Sequence, residues 1–232
     1  MATLRILSAG AAQAVTERLV EAFRRETGHQ VEADFGAVGA MKALVMGGQP
    51  VDVIILTRPL IEELVDASWA QPGSRVDLGR VATGVAVRAG TPVPDISNAD
   101  LLRVRILTAT RIVFPDPAVA TAGKVVMSLL EKLGIVDEVH SRIQLFPNGY
   151  AAMKWLAQTY GTGGLGITQV TEILPNAGVS YAGPLPEPFQ MKAVYSAALA
   201  AHAPQLALAV DFIARFQALG ARSLLTEAGY EV

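Results

Sequence analysis

The chain has no cysteine. Thiol catalysis, disulfides and thiolate zinc sites are therefore excluded, and the redox compartment is left open. Histidine is nearly as scarce. His29, His140 and His202 stand far apart in polar, loop-like segments. With no HxxxH or carboxylate–histidine spacing beside them, they read as surface residues, and neither a metal nor another cofactor is expected. Basic residues do not cluster: 19 Lys and Arg against 21 Asp and Glu leave a net charge of −2. Nucleic acid is thus not an expected partner, because its binding needs a basic patch or stripe. Apolar runs fall well short of the ~20 residues that cross a bilayer, so membrane insertion is not expected either. The opening "MATLRILSAGAAQAV" shows no basic leader followed by an apolar core and cleavage site. The expectation for the sequence as given is the cytoplasm, and the periplasm where a signal segment has been cleaved away. Also missing are a GxSxG elbow and a GxxxxGK[ST] phosphate loop. "GTGGLG" (Gly161–Gly166) precedes a strand instead of opening a helix, and reads as a turn.

What is present is an alternation of short β runs and amphipathic helices. The 232 residues, 51% hydrophobic and 17% charged, can bury a sizeable core as one large domain or two lobes. "LRILSAG" reads as strand and turn, and Val15, Leu19 and Phe23 repeat along one helix face that Gly28 ends. "QVEADFG" alternates with period two, a helix follows over 38–47, and "VDVIIL" is a continuous apolar run, as in a strand covered on both faces. "RPLIEELVDA" is the next helix. Three successive βα units predict a doubly wound α/β arrangement. "RVATGVAVRAG" then forms a long strand, followed by the proline-rich "GTPVPDIS". A second series runs "RIVFPDP", helix 120–133, "RIQLF", helix 149–159, "GLGIT" and "VSYAGPLP". "MKAVYSAALAA" is another long strand, and a helix over 204–219 closes the chain. This pattern predicts two doubly wound, Rossmann-like lobes joined by two crossover strands. Residues 1–80 with 198–232 form lobe one, 81–197 form lobe two, and a ligand cleft is expected between them.

One device recurs. Helices begin directly after strands in loops of small residues: "SAGAAQ" (8–13), "FGAVGAM" (35–41), "DPAVATAGK" (116–124) and "PNGYAAM" (147–153). The helix near Val38 has no Ser, Thr, Asp or Asn at its start. Unpaired N–H groups and the positive end of the peptide dipole make such helix starts ready sites for an anion. In open α/β sheets, ligands settle outside the carboxyl ends of the strands, where these loops lie. Asp52 and Asp116 read as residues that tie down backbone at strand and turn edges. Lys124 reads as a solvated helix residue.

The pieces "AFRRETGHQVEADFGAVGAMKALVMGGQPVDVIIL", "FPDPAVATAGKVVMSLLEKLGI", "GLGITQVTEILP" and "VYSAALAA" resemble the type II periplasmic solute-binding proteins. Within these, they are similar to the molybdate-binding components of ABC transporters. The resemblance implies two hinged α/β lobes and an oxyanion held by backbone amides, serine hydroxyls and a tyrosine. The family's first serine aligns with Ala11, with Ser8 nearby, and its second with Ala37 or Val38. The backbone-amide position falls at about Ala122, and the tyrosine aligns with Gln169. With three side-chain donors replaced and Val38 making the wall more apolar, the expected ligand shifts from molybdate towards a carboxylate on a carbon skeleton. The candidate ligand-binding residues are Ser8, Ala11, Val38, Gly39, Thr57, Arg58, Thr121, Ala122, Tyr150 and Gln169. Arg58 reads equally as a solvated first-turn residue, Tyr150 as a packing residue at a helix start, and Tyr195 as packing at the hinge or lining the cleft. Two functions follow. One is a solute-binding protein that clamps a small anion, with an ABC transporter permease as partner if the chain is exported. The alternative is a proton-transfer isomerase of a small unsaturated carboxylate, as some proteins resembling this family are. No acid–base pair stands out by spacing.

Overall fold

The computed structural model describes residues 2–159 and 161–232. The elements follow in chain order as β1 (Thr3–Ala9), α1 (Gln13–Thr27), β2 (Gln30–Gly36), α2 (Val38–Met46), β3 (Val53–Thr57), α3 (Arg58–Asp66), β4 (Val76–Arg88) and α4 (Ala99–Thr108). Then come β5 (Arg111–Pro115), α5 (Thr121–Lys132), α6 (Val136–Val139), β6 (Ile143–Phe146), α7 (Gly149–Gln158), β7 (Gly164–Gln169) and α8 (Val170–Ile173). The chain ends with β8 (Val179–Pro184), β9 (Lys192–Leu199), α9 (Leu206–Ala214) and α10 (Ala221–Glu227). It divides into two compact units, one running to Val81 and resuming over Ala193–Val232, the other Ala82–Lys192. The outward passage falls within β4. The return falls at the head of β9 and not at 197/198, because Tyr195–Leu199 pair along β3 and so belong with the first unit's sheet.

In the first unit, β1 lies between β2 and β3, parallel to both, and β9 runs antiparallel beside β3. All five residues of β3 are buried, as its unbroken apolar run requires. Helix α1 buries Val15, Leu19 and Phe23 and stops at Gly28, whose φ of 70° needs a residue without a Cβ. Phe23 meets Phe212 of α9 edge to face at 5.6 Å. Tyr195 is 2% exposed and packs edge-on against Tyr230, so it is a core residue of this unit. Asp52, fully buried, accepts the backbone N–H groups of Arg5 and Gln205; it ties down backbone, though that of two distant segments and not its own.

In the second unit, β5 lies between β6 and β7, all three parallel, with β4 antiparallel to β7 and β8 antiparallel to β4. Its core gathers Val85, Ile106, Ile112, Phe114, Val126, Leu130 and Ile167. Asp116 accepts the N–H of Ala118 at 2.8 Å, which makes "PDP" the turn its composition suggests. Two helical expectations are corrected. The closing segment is not one helix over 204–219: α9 ends in a short 3-10 turn, Arg215–Gln217, and α10 begins beyond Gly220. Helix α4 was not anticipated, since only Leu102 and Ile106 are buried among its apolar residues.

Candidate functional site

Parallel strands align the loops that follow them. In the first unit Ala9 pairs with Gly36 and Ser8 with Ile55, so the carboxyl ends of β1, β2 and β3 share one edge. That edge brings together Ser8, Ala11, Val38, Gly39, Thr57 and Arg58. In the second unit Pro115 pairs with Phe146 and Val113 with Gly166, which sets Thr121, Ala122, Tyr150 and Gln169 beyond the carboxyl ends of β5, β6 and β7.

At the first unit's edge, the hydroxyl of Ser8 is buried and donates to the carbonyl of Ala9. Ala11 lies in a short 3-10 turn, and its carbonyl accepts the phenol of Tyr230. Helix α2 starts at the buried Val38 with Ala37 before it, no side-chain cap and no acid in its first turn. Its leading N–H groups carry the positive end of the dipole. Thr57, nearly buried, precedes α3 without capping it. Arg58 is not merely solvated, and its buried Nε atom lacks a partner among the described residues. It forms an ion pair with Asp77 of β4, whose other oxygen accepts the hydroxyl of Ser196 at 2.6 Å. Although partial burial works the other way, these donors hold the Asp77 carboxyl below the usual range.

The second unit is more varied. Helix α5 begins at Thr121 and the buried Ala122, again without a side-chain cap or a first-turn acid. Helix α7 differs, and the expectation that its start is an open anion site is corrected. Asn148 caps it by accepting the N–H of Ala151 at 2.8 Å. The carboxylate of Glu172 accepts the N–H groups of Gly149, Tyr150 and Gln169 and the hydroxyl of Thr168. An internal carboxyl group therefore already occupies this helix start. Gly149 allows the approach, because a Cβ there would stand 2.0 Å from the Glu172 Oε2 atom. Burial pushes the Glu172 carboxyl up to about 7 despite the four donors that favour its ionised form.

Gln169 closes β7 with 2% of its surface exposed, and both its amide nitrogen and its amide oxygen lack a partner among the described residues. The buried hydroxyls of Thr83 and Thr171 are also unpartnered. Leaving such groups unpaired costs roughly 1–3 kcal/mol each, so they are sites where a ligand or water belongs. Thr83, Thr171 and Glu172 were not anticipated from the sequence. The one signal was a lone acid inside the apolar run "GITQVTEIL". No group of three His, Cys, Asp or Glu suited to a metal occurs among the described residues. Nor, among them, is any helix long and apolar enough to cross a membrane.

Comparison with known proteins gives one family over nearly the whole chain: residues 4–231 match the bacterial extracellular solute-binding protein family. Among curated proteins, an aconitate isomerase of a Pseudomonas species is 27% identical over 206 residues, which is 85% of this chain and 75% of that protein. Among solved structures, the periplasmic molybdate-binding protein of Azotobacter vinelandii superposes with a TM-score of 0.83 at 22% identity, covering 99% of each chain. A sulfate-binding protein of Mycobacterium tuberculosis gives 0.77 at 19% identity, over 99% of this chain and 86% of the other. At those identities the structures establish the fold, the type II periplasmic-binding-protein fold. With its strand order, its two α/β units and a match over 4–231, the chain belongs to the bacterial extracellular solute-binding proteins.

Proposed function

We propose that the protein binds a small carboxylate, with the uncapped starts of α2 and α5 as its anion holders. The observation that carries this is the bareness of those two helix starts. Each stands at the carboxyl edge of its unit's parallel strands with backbone N–H groups and neither a side-chain cap nor a first-turn acid. A carboxylate is favoured over a tetrahedral dianion because hydroxyl donors are few at the first unit's edge. Ala11 and Val38 are apolar, Ser8 donates to a carbonyl, and Arg58 is held by Asp77. A desolvated dianion would keep several oxygens unpaired in such surroundings. On this reading the protein hands its ligand to a membrane transporter when it stands outside the cytoplasm.

The test is thermal unfolding in the presence of molybdate, tungstate, sulfate, phosphate and a panel of di- and tricarboxylates. A ligand at a hundredfold excess over Kd stabilises the native state by about 2.7 kcal/mol. A shift with carboxylates is expected. A shift with molybdate or tungstate alone would sink the carboxylate reading.

A second reading is favoured by the aconitate isomerase relative: a proton is removed from carbon next to a carboxylate and returned at the other end of the double bond. An isomerase run in deuterium oxide places solvent deuterium in its ligand, read by mass spectrometry. A bound carboxylate recovered without deuterium leaves the binding role.

A further inference from the structure

Thr83 and Gln169 stand directly opposite each other on β4 and β7, which are antiparallel neighbours. Paired residues of this kind project to the same face of a sheet. Both are buried, at 0% and 2% exposure, and all three of their side-chain polar atoms lack partners among the described residues. Their backbones, by contrast, are engaged. The N–H of Thr83 donates to the side chain of Gln190 at 3.3 Å, and its carbonyl accepts the N–H of Leu185 at 3.0 Å. The N–H of Gln169 donates to Glu172. The main chain is thus pinned while a hydroxyl and an amide are left unsatisfied side by side. Gln169 also ends its strand, at the edge where ligands of open α/β sheets sit.

This pair is neutral. Between them the two side chains present three hydrogens to donate and two oxygens able to accept. A fully ionised, acceptor-only group would satisfy the hydrogens and leave the Gln169 oxygen facing negative charge. A ligand group that both donates and accepts satisfies every atom. We infer that Thr83 and Gln169 form a neutral polar subsite that takes an uncharged hydrogen-bonding group of the anionic ligand, a hydroxyl or an unionised acid O–H. This inference rests on the proposed carboxylate reading and deepens it: charge is met at the bare start of α5, and identity is read at Thr83 and Gln169 of the same unit.

The experiment compares, by titration calorimetry, probes that differ in one O–H: malate against succinate, citrate against tricarballylate, hydrogen phosphate against sulfate. For the pair that binds, at least roughly a tenfold preference for the O–H-bearing member is expected, because sites built to hydrogen-bond a hydroxyl reject the analogue without it. Thr83→Val and Gln169→Met are close in shape and should bring that preference down to about twofold or less. Neither should lower the melting temperature of the ligand-free protein, since each removes an unpaired buried polar group. Thr83→Ser should keep the preference. Binding by the wild type with no preference, or a preference that both variants retain, overturns this inference and leaves the carboxylate reading standing. Variants that lower ligand-free stability with the preference unchanged assign the pair to an internal water and also overturn it. Binding of no carboxylate by the wild type overturns the carboxylate reading and, with it, the inference that rests on it.

Discussion

Gly123→Ala is expected to destabilise the protein by about 3 kcal/mol. Gly123 is the third residue of α5, in its first turn, against the turn formed by Pro115, Asp116 and Pro117. A Cβ at this position would stand 2.2 Å from the Pro115 carbonyl oxygen, 2.7 Å from the Pro117 nitrogen and 2.8 Å from its Cα. All three are backbone atoms, and rotating a side chain does not relieve such a clash. Nor can the turn yield easily. The Asp116 carboxylate accepts the N–H of Ala118, and the Asp116 carbonyl accepts those of Val119 and Ala120. The helix must therefore move off the turn. Alanine returns about 1 kcal/mol through helix propensity, which offsets only part of the loss. Urea unfolding of both proteins measures the difference. Because α5 carries one of the helix starts proposed to hold the ligand, the ligand-induced stabilisation should fall as well. A variant within about 0.5 kcal/mol of the wild type would mean that the helix does not rest on this turn.

The same residue shows what a sequence reveals and what it hides. The small residues of "DPAVATAGK" announce a tight strand-to-helix turn, and the helix that follows was legible to within one residue at each end. What the glycine touches was not legible. The long strands and the βα rhythm were readable because burial of a parallel sheet forces unbroken apolar runs, and β3 is buried at every position. The ion pair of Arg58 was hidden for a different reason. Its partner Asp77 is on another strand, and the Ser196 hydroxyl that completes the group comes from β9. No local pattern couples these positions. Helix α4 escaped notice because its apolar residues do not form one stripe, though Asn98 capping it by accepting the N–H of Leu101 was a readable start signal. At the site, the bare start of α2 was visible as an absence of capping residues. The filling of α7 by Glu172 depended on a tertiary approach that only Gly149 permits.

Glu172 should also give the protein a pH-dependent stability that Glu172→Gln removes. Burial raises its carboxyl from an ordinary 4.5 to about 7 in the folded protein. Between those values the folded state holds a proton that the unfolded chain has released. The folded form binds more protons, so stability falls as pH rises through this window. The contribution is fully present below the unfolded value, is lost progressively towards about 7, and is constant above it. Each unit of separation is worth about 1.36 kcal/mol, so the change across the window is on the order of 3 kcal/mol. The Asp77 carboxyl, which its partners hold below its ordinary value, is linked to stability at lower pH and with the opposite sign. The quantity to read is therefore the difference between wild type and variant, measured by urea unfolding at about pH 5 and about pH 8. That difference should move by on the order of 3 kcal/mol against the wild type on going to the higher pH. A difference that stays constant would mean that Glu172 titrates alike in the folded and unfolded states, and that its carboxyl is not buried against α7. The direction also bears on ligand binding. Above its folded value Glu172 is a fixed negative charge on the start of α7, where it takes up the N–H groups of Gly149 and Tyr150. Among the described residues, the second unit then has only α5 as an uncapped helix start of eight residues or more to face an anion.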